Sequence, residues 1–85
     1  MNLSYAKEFY NKVIKGKAAM NFTHHDIQAV TYASCPYSVY NNSLKPLLEK
    51  LGYTFTEKNE EFINHNGIKT RRKRYFIYLE DNNNG

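Results

Sequence analysis

Between Leu3 and Leu51 the apolar residues recur at helical spacing, and from Tyr53 onward the period falls to two. In residues 3–15, Leu3, Ala6, Phe9 or Tyr10, Val13 and Ile14 form one stripe, with Lys7, Lys12 and Lys15 opposite. Gly16 is the expected C-terminal stop. Residues 17–22 read as a connector whose Met20 and Phe22 are pinned to the core. A second helix is expected from Thr23, because Thr23-x-x-Asp26 approximates a capping box. Phe22 and Ile27 flank that cap as a hydrophobic staple. The stripe Ile27, Val30 and Ala33 is short, so this helix ends near Ala33. Ser34-Cys35-Pro36 is a break in which Ser34 or Cys35 caps a third helix and Pro36 suits its first turn. Residues 37–51 then place Val39, Leu44 (or Ser43), Leu47, Leu48 and Leu51 on one side. Tyr37, Ser38, Tyr40, Asn41, Asn42 and Lys45 fall mostly on the other, and Gly52 ends the run. Pro46 removes the bond to the carbonyl of Asn42, so the helix is expected to kink or loosen there.

The alternating stretch reads as a β-hairpin. Tyr53, Phe55 and Glu57 alternate with Thr54, Thr56 and Lys58, Asn64-His65-Asn66-Gly67 is the turn, and residues 71–79 return. The return strand carries the densest charge in the chain: Lys69, Arg71, Arg72, Lys73 and Arg74. Placing this run on a strand divides it, with Arg71 and Lys73 on one face and Arg72 and Arg74 on the other. Glutamates stand across from it. A two-residue turn sets Glu61 against Arg72 and Glu60 against Lys73. A four-residue loop sets Glu60 against Arg71 and Glu57 against Arg74. The polar residues 81–85 are expected to form a disordered tail after a single domain, 1–80.

Charge and composition narrow the function classes. Twelve Lys/Arg against eight Asp/Glu give a formal +4. The excess is modest, but its clustering at 69–74 favours a polyanionic partner. Eighty-five residues allow one modest core, and eight tyrosines must find partners for their hydroxyls or lie at its edge. Cys35 is the single cysteine, so no internal disulfide forms, and it is expected to plug the turn as a small hydrophobe. No apolar run is long enough to span a bilayer and no signal peptide is expected. The cytoplasm of a bacterial or phage-infected cell is the expected compartment. His24, His25 and His65 lack zinc-site spacing, no glycine-rich phosphate loop is present, and no base is placed near Cys35. Neither an enzyme nor a cofactor is expected.

The residues Phe22-Thr23-x-x-Asp26-Ile27, Ser34-Cys35-Pro36-Tyr37-Ser38-Val39, Leu44-x-x-Leu47-Leu48-x-x-Leu51-Gly52-Tyr53 and Arg74-Tyr75-Phe76-Ile77-Tyr78 carry a resemblance. In order and character they resemble the small winged helix-turn-helix proteins of bacteria and phages. The resemblance implies an α+β fold of three helices followed by a β-hairpin wing. It implies a sequence-specific protein of duplex DNA, such as a phage or mobile-element transcriptional regulator or recombination accessory factor. By position, Tyr37, Ser38, Tyr40, Asn41, Asn42 and Lys45 would then meet the major groove and its phosphates. The wing, with Lys69, Arg71, Arg72, Lys73 and Arg74, would touch the backbone or the minor groove. Asn41 and Asn42 also read simply as poor helix formers beside a kink. The alternative is a protein-binding module, for instance a phage inhibitor of a host enzyme or CRISPR effector. The three wing glutamates and exposed Tyr37 and Tyr40 suit that reading.

Overall fold

A computed structural model describes residues 2–79. Helix α1 covers Asn2–Phe9 and widens into a π-helical turn, Tyr10–Ile14, closed by Lys15 N–H on the Tyr10 carbonyl at 2.8 Å. Gly16 then turns the chain at φ 87°. Strand β1 is Ala19–Thr23 and helix α2 is His24–Thr31. Helix α3 is continuous over residues 36–50, made of Pro36–Val39, a π turn Tyr40–Leu44, and Lys45–Lys50. Strands β2, Tyr53–Ile63, and β3, Lys69–Leu79, complete the fold. The tail expected at 81–85 lies outside the described residues.

The expected order of three helices followed by a hairpin wing is corrected by β1. This strand pairs antiparallel with β3 in the register Met20↔Ile77 and Phe22↔Tyr75. The result is a three-stranded antiparallel sheet in the order β1-β3-β2, with β3 in the middle. The hairpin is therefore part of a sheet and carries core residues, in a small α+β fold. Five residues give too short an alternation to announce a strand, and the partner of β1 lies more than fifty positions away. What the sequence did show, Met20 and Phe22 turned toward the core, is the inward face of that strand.

The local signals at the helix ends match the structure. Thr23 and Asp26 form the capping box, with Thr23 N–H donating to Asp26 Oδ2 at 2.9 Å. Phe22 and Ile27 on either side are both buried. Cys35 is the N-cap of α3 and Pro36 its first residue. Helix α3 passes through Pro46 because the π turn comes immediately before it. Lys45 N–H bonds the Tyr40 carbonyl, five residues back, and this wider turn relieves the clash a proline ring causes in a regular helix.

The core gathers all of these elements. Phe9, Ile14, Phe22, Ile27, Val39, Tyr40, Leu44, Leu48, Tyr75 and Ile77 are fully or almost fully buried. Tyr40 stacks on Tyr75 with centroids 3.9 Å apart, and Phe22 packs against Phe9 at 5.1 Å. Strand β1 reaches only residues 74–78 of β3, whereas β2 pairs along its whole length. Beyond that point residues 59–63 and 69–73 form a two-stranded ribbon, which helps to draw the molecule out to 50 × 28 × 19 Å.

Candidate nucleic-acid interface

The ribbon register matches neither of the two expected pairings. Ile63 faces Lys69, Glu61 faces Arg71 and Glu60 faces Arg72. Gly67 N–H bonds the Asn64 carbonyl at 2.9 Å and Asn64 N–H bonds the Ile68 carbonyl at 3.0 Å. Gly67 adopts φ 80°, the left-handed conformation that closes a three-residue hairpin loop with a glycine bulge. The loop has one residue more than the shorter of the two expected turns and one fewer than the longer. Asn64 is the missed determinant: its Oδ1 accepts from Asn66 N–H at 2.9 Å and Ile68 N–H at 3.1 Å.

This register sorts the cations. On one face Glu60 holds two arginines. Its carboxylate accepts from Arg74 Nε and Nη2, both at 3.0 Å, and from Arg72 Nε at 2.6 Å. These bonds, led by those from Arg74, hold the Glu60 carboxyl down at about 2. Arg74 also donates to Asn21 Oδ1 at 2.9 Å, which ties the ribbon to β1. Arg72 lies over the Phe62 ring at 4.2 Å, and its Nη1 is 3.4 Å from His25 Nδ1. On the other face Lys73 pairs with Glu57 at 3.2 Å. Among the described residues Lys69 and Arg71 enter no ion pair, although Arg71 stands opposite Glu61 in register.

Helix α3 divides the remaining candidates. Tyr37, Asn41 and Lys45 fall four residues apart on one side of the helix, where they are wholly or partly exposed. Lys45 Nζ sits 5.9 Å above the Phe55 ring of β2, and Tyr37 stacks on His24 at 4.3 Å. Asn42 points elsewhere, into a groove between α1 and α3 lined by Leu3, Lys7, Pro46 and Leu47. Ser38 is half-buried, its Oγ 3.2 Å from Cys35 Sγ. Cys35 itself is exposed, so it does not plug the turn as expected. Tyr40 is corrected as a contact residue and as an interface anchor. It is fully buried between Phe22 and Tyr75, on the stripe it shares with Leu44 and Leu48 four and eight residues further along the helix. Burial pushes its phenol well above the ordinary range.

One feature had no signal in the sequence. Tyr37, His24, His25, Phe62 and Arg72 form a continuous run of ring and guanidinium contacts joining α3, α2 and the ribbon. Burial, followed by the charges of His25 and Arg72, lowers the pKa of His24, so its ring stacks on Tyr37 in the neutral form near pH 7.

No family model, curated sequence or solved structure matches this chain. Among the described residues no three His, Cys, Asp or Glu converge as a metal site, and no helix is long and apolar enough to cross a membrane.

Proposed function

We propose that the protein binds duplex DNA, with the exposed side of α3 toward base edges and the ribbon along the backbone. The observation that carries this reading is the free cationic end of the ribbon. Lys69 and Arg71 lack ion-pair partners among the described residues and extend beyond the three-stranded part of the sheet. Tyr37, Ser38, Asn41 and Lys45 supply the polar groups that a groove-facing helix uses, and an asparagine amide can pair with adenine N6 and N7 together. Control of transcription or assistance in recombination would follow from a sequence preference held on α3.

A salt titration of duplex binding tests it. Neutralised phosphates release counterions, so log K must fall linearly with log salt. Substituting Lys69 or Arg71 by alanine should flatten that slope by about 1 each, on every sequence. Arg72→Ala should flatten it less, because Glu60 already compensates that charge. Asn41→Ala should weaken binding only on preferred sequences. Absence of binding at low salt, or binding indifferent to salt, would sink the proposal.

A protein partner is the second reading, and one observation favours it. Glu60 and Glu57 pair with Arg72, Lys73 and Arg74, three of the five cations of the run, while Tyr37 remains exposed. A stoichiometric protein recovered from nuclease-treated lysate, and lost with Tyr37→Ala, would favour this reading over the first.

A further inference from the structure

The helices pack on one face of the sheet and leave two aromatic rings on the other. Tyr75 and Ile77 of β3 point into the core, so Phe76 and Tyr78 between and beyond them point away from it. Phe76 is half-buried and Tyr78 is 42% exposed, and neither joins the core cluster. Both stand on the middle strand, two positions and therefore about 7 Å apart. Their cross-strand neighbours are small. Asn21 and Thr56 flank Phe76, and Ala19 and Thr54 flank Tyr78. Residues of that size leave ring surface uncovered, and a shallow open depression lies there, with Asn21, Phe76 and Tyr78 in its lining.

The same face is cationic where it continues into the ribbon. Arg74 and Arg72 follow the two rings along β3, and Lys58 stands opposite Arg74 on β2. Against these three cations the strands place one carboxylate on this face, Glu60. Lys58 is exposed and enters no ion pair among the described residues. Lys69 and Arg71 belong to the opposite face, because they share the alternation of Tyr75.

We propose that the open face of the sheet binds an extended single strand of nucleic acid, with bases stacked on Phe76 and Tyr78 and phosphates toward Lys58 and the two arginines. The proposal does not rest on the duplex reading, since other residues carry it, and either can fail alone. Ring spacing selects the form of the ligand. Duplex bases follow one another at about 3.4 Å along each strand, half the separation of the rings. Their faces are also taken up by their neighbours. One base on each ring therefore requires an unstacked, extended strand. Every base has a π face, so such a platform tolerates sequence. Stacking and phosphate contacts do not involve the ribose 2′-hydroxyl, so DNA and RNA strands qualify alike.

Fluorescence anisotropy at low salt tests it with a dye-labelled oligothymidylate. An abasic deoxyribose-phosphate strand of equal length keeps the charge and removes the bases. The wild type should bind oligothymidylate more tightly than the abasic strand. Tyr78→Ala and Phe76→Ala should each weaken oligothymidylate binding roughly 5- to 150-fold, the loss of one stacked base. Tyr78→Phe keeps the ring and should bind as the wild type does. Lys58→Ala should flatten the salt dependence by about 0.7. The comparison of the two strands uses wild-type protein, so it decides the matter even where a ring variant folds poorly. No binding of oligothymidylate, equal affinity for the two strands, or folded ring variants that bind as the wild type does would overturn the proposal. A dimer abolished by Tyr78→Ala, with no oligothymidylate bound, would assign the face to a second copy of the chain and overturn it as well.

Discussion

Ile77 and Ile63 belong to the same hairpin and could hardly differ more in circumstance. Ile77 is 1% exposed in the inner half, among the aromatic and aliphatic residues that β1, α1 and α3 bring to the sheet. Ile63 is 60% exposed in the outer half, where the ribbon has no third strand. The inner half is fastened by apolar burial, and the outer half by hydrogen bonds and ion pairs: Glu60 with two arginines, Lys73 with Glu57, and Asn64 across the loop. Stability is concentrated in the first region, and the two cations of the run without an ion pair among the described residues lie in the second. Isoleucine in the second region adds little to the core, and its β-branched side chain suits the strand it ends.

The largest expected effect tests that division directly. Ile77→Ala should cost about 2–5 kcal/mol, the range for truncating a buried isoleucine. Ile63→Ala should stay within about 0.5 kcal/mol, as exposed substitutions do. Urea denaturation of the two variants measures both. A loss above 1 kcal/mol for Ile63→Ala would mean the tip is part of the cooperative core.

A smaller effect comes from the two glycines that begin and end the region. Gly52 enters β2 at φ 94° and Gly67 closes the tip at φ 80°. A Cβ at Gly67 meets nothing within 4 Å, and one at Gly52 meets only Leu79 Cδ2 at 3.9 Å. Each alanine substitution therefore carries backbone strain alone, about 1–2 kcal/mol. The strain should show in different places. Gly52→Ala should lower the global unfolding free energy. Gly67→Ala should act mainly as faster amide exchange within residues 59–73, with a smaller change in Tm. Equal global losses would show that the two halves unfold as one unit.

The two regions also differ in how much the sequence disclosed. The caps of α2 and α3, the stop at Gly52 and the strand period after Tyr53 are local, and each is visible within a few residues. Strand β1 was hidden because its pairing is distant and its length short. The register of the ribbon was hidden because the loop depends on the Asn64 side chain, which shifts the pairing of every later residue by one position. That shift decides which glutamate meets which arginine, and so which cations stay free. Tyr40 is different, because its burial is legible in the spacing itself: it precedes Leu44 and Leu48 by four and eight residues on one apolar stripe. The basic run itself needed no structure to be noticed, but its division into clamped and free charges did.

The Glu60 clamp is the smallest of these effects and the one most specific to the outer half. Glu60 has an ordinary value of 4.5 and is held at about 2 in the folded protein by Arg74 and Arg72. Its folded value is depressed, so the unfolded chain binds the proton first as pH falls. The stabilisation is therefore fully present above about pH 5 and is lost between 4.5 and 2. Glu60→Gln cannot titrate, so the wild-type advantage in Tm should be constant from pH 7 to 5 and should close toward pH 2. A gap unchanged at pH 2 would mean the carboxylate is not clamped. The same variant separates the two functional readings at neutral pH. Removing the glutamate charge releases Arg72 and Arg74 from their only ion-pair partner among the described residues. If the ribbon lies on phosphates, Glu60→Gln should bind duplex DNA more tightly and with a steeper salt slope. If the paired face is what a protein partner recognises, the same change should weaken that complex and leave duplex binding unaltered.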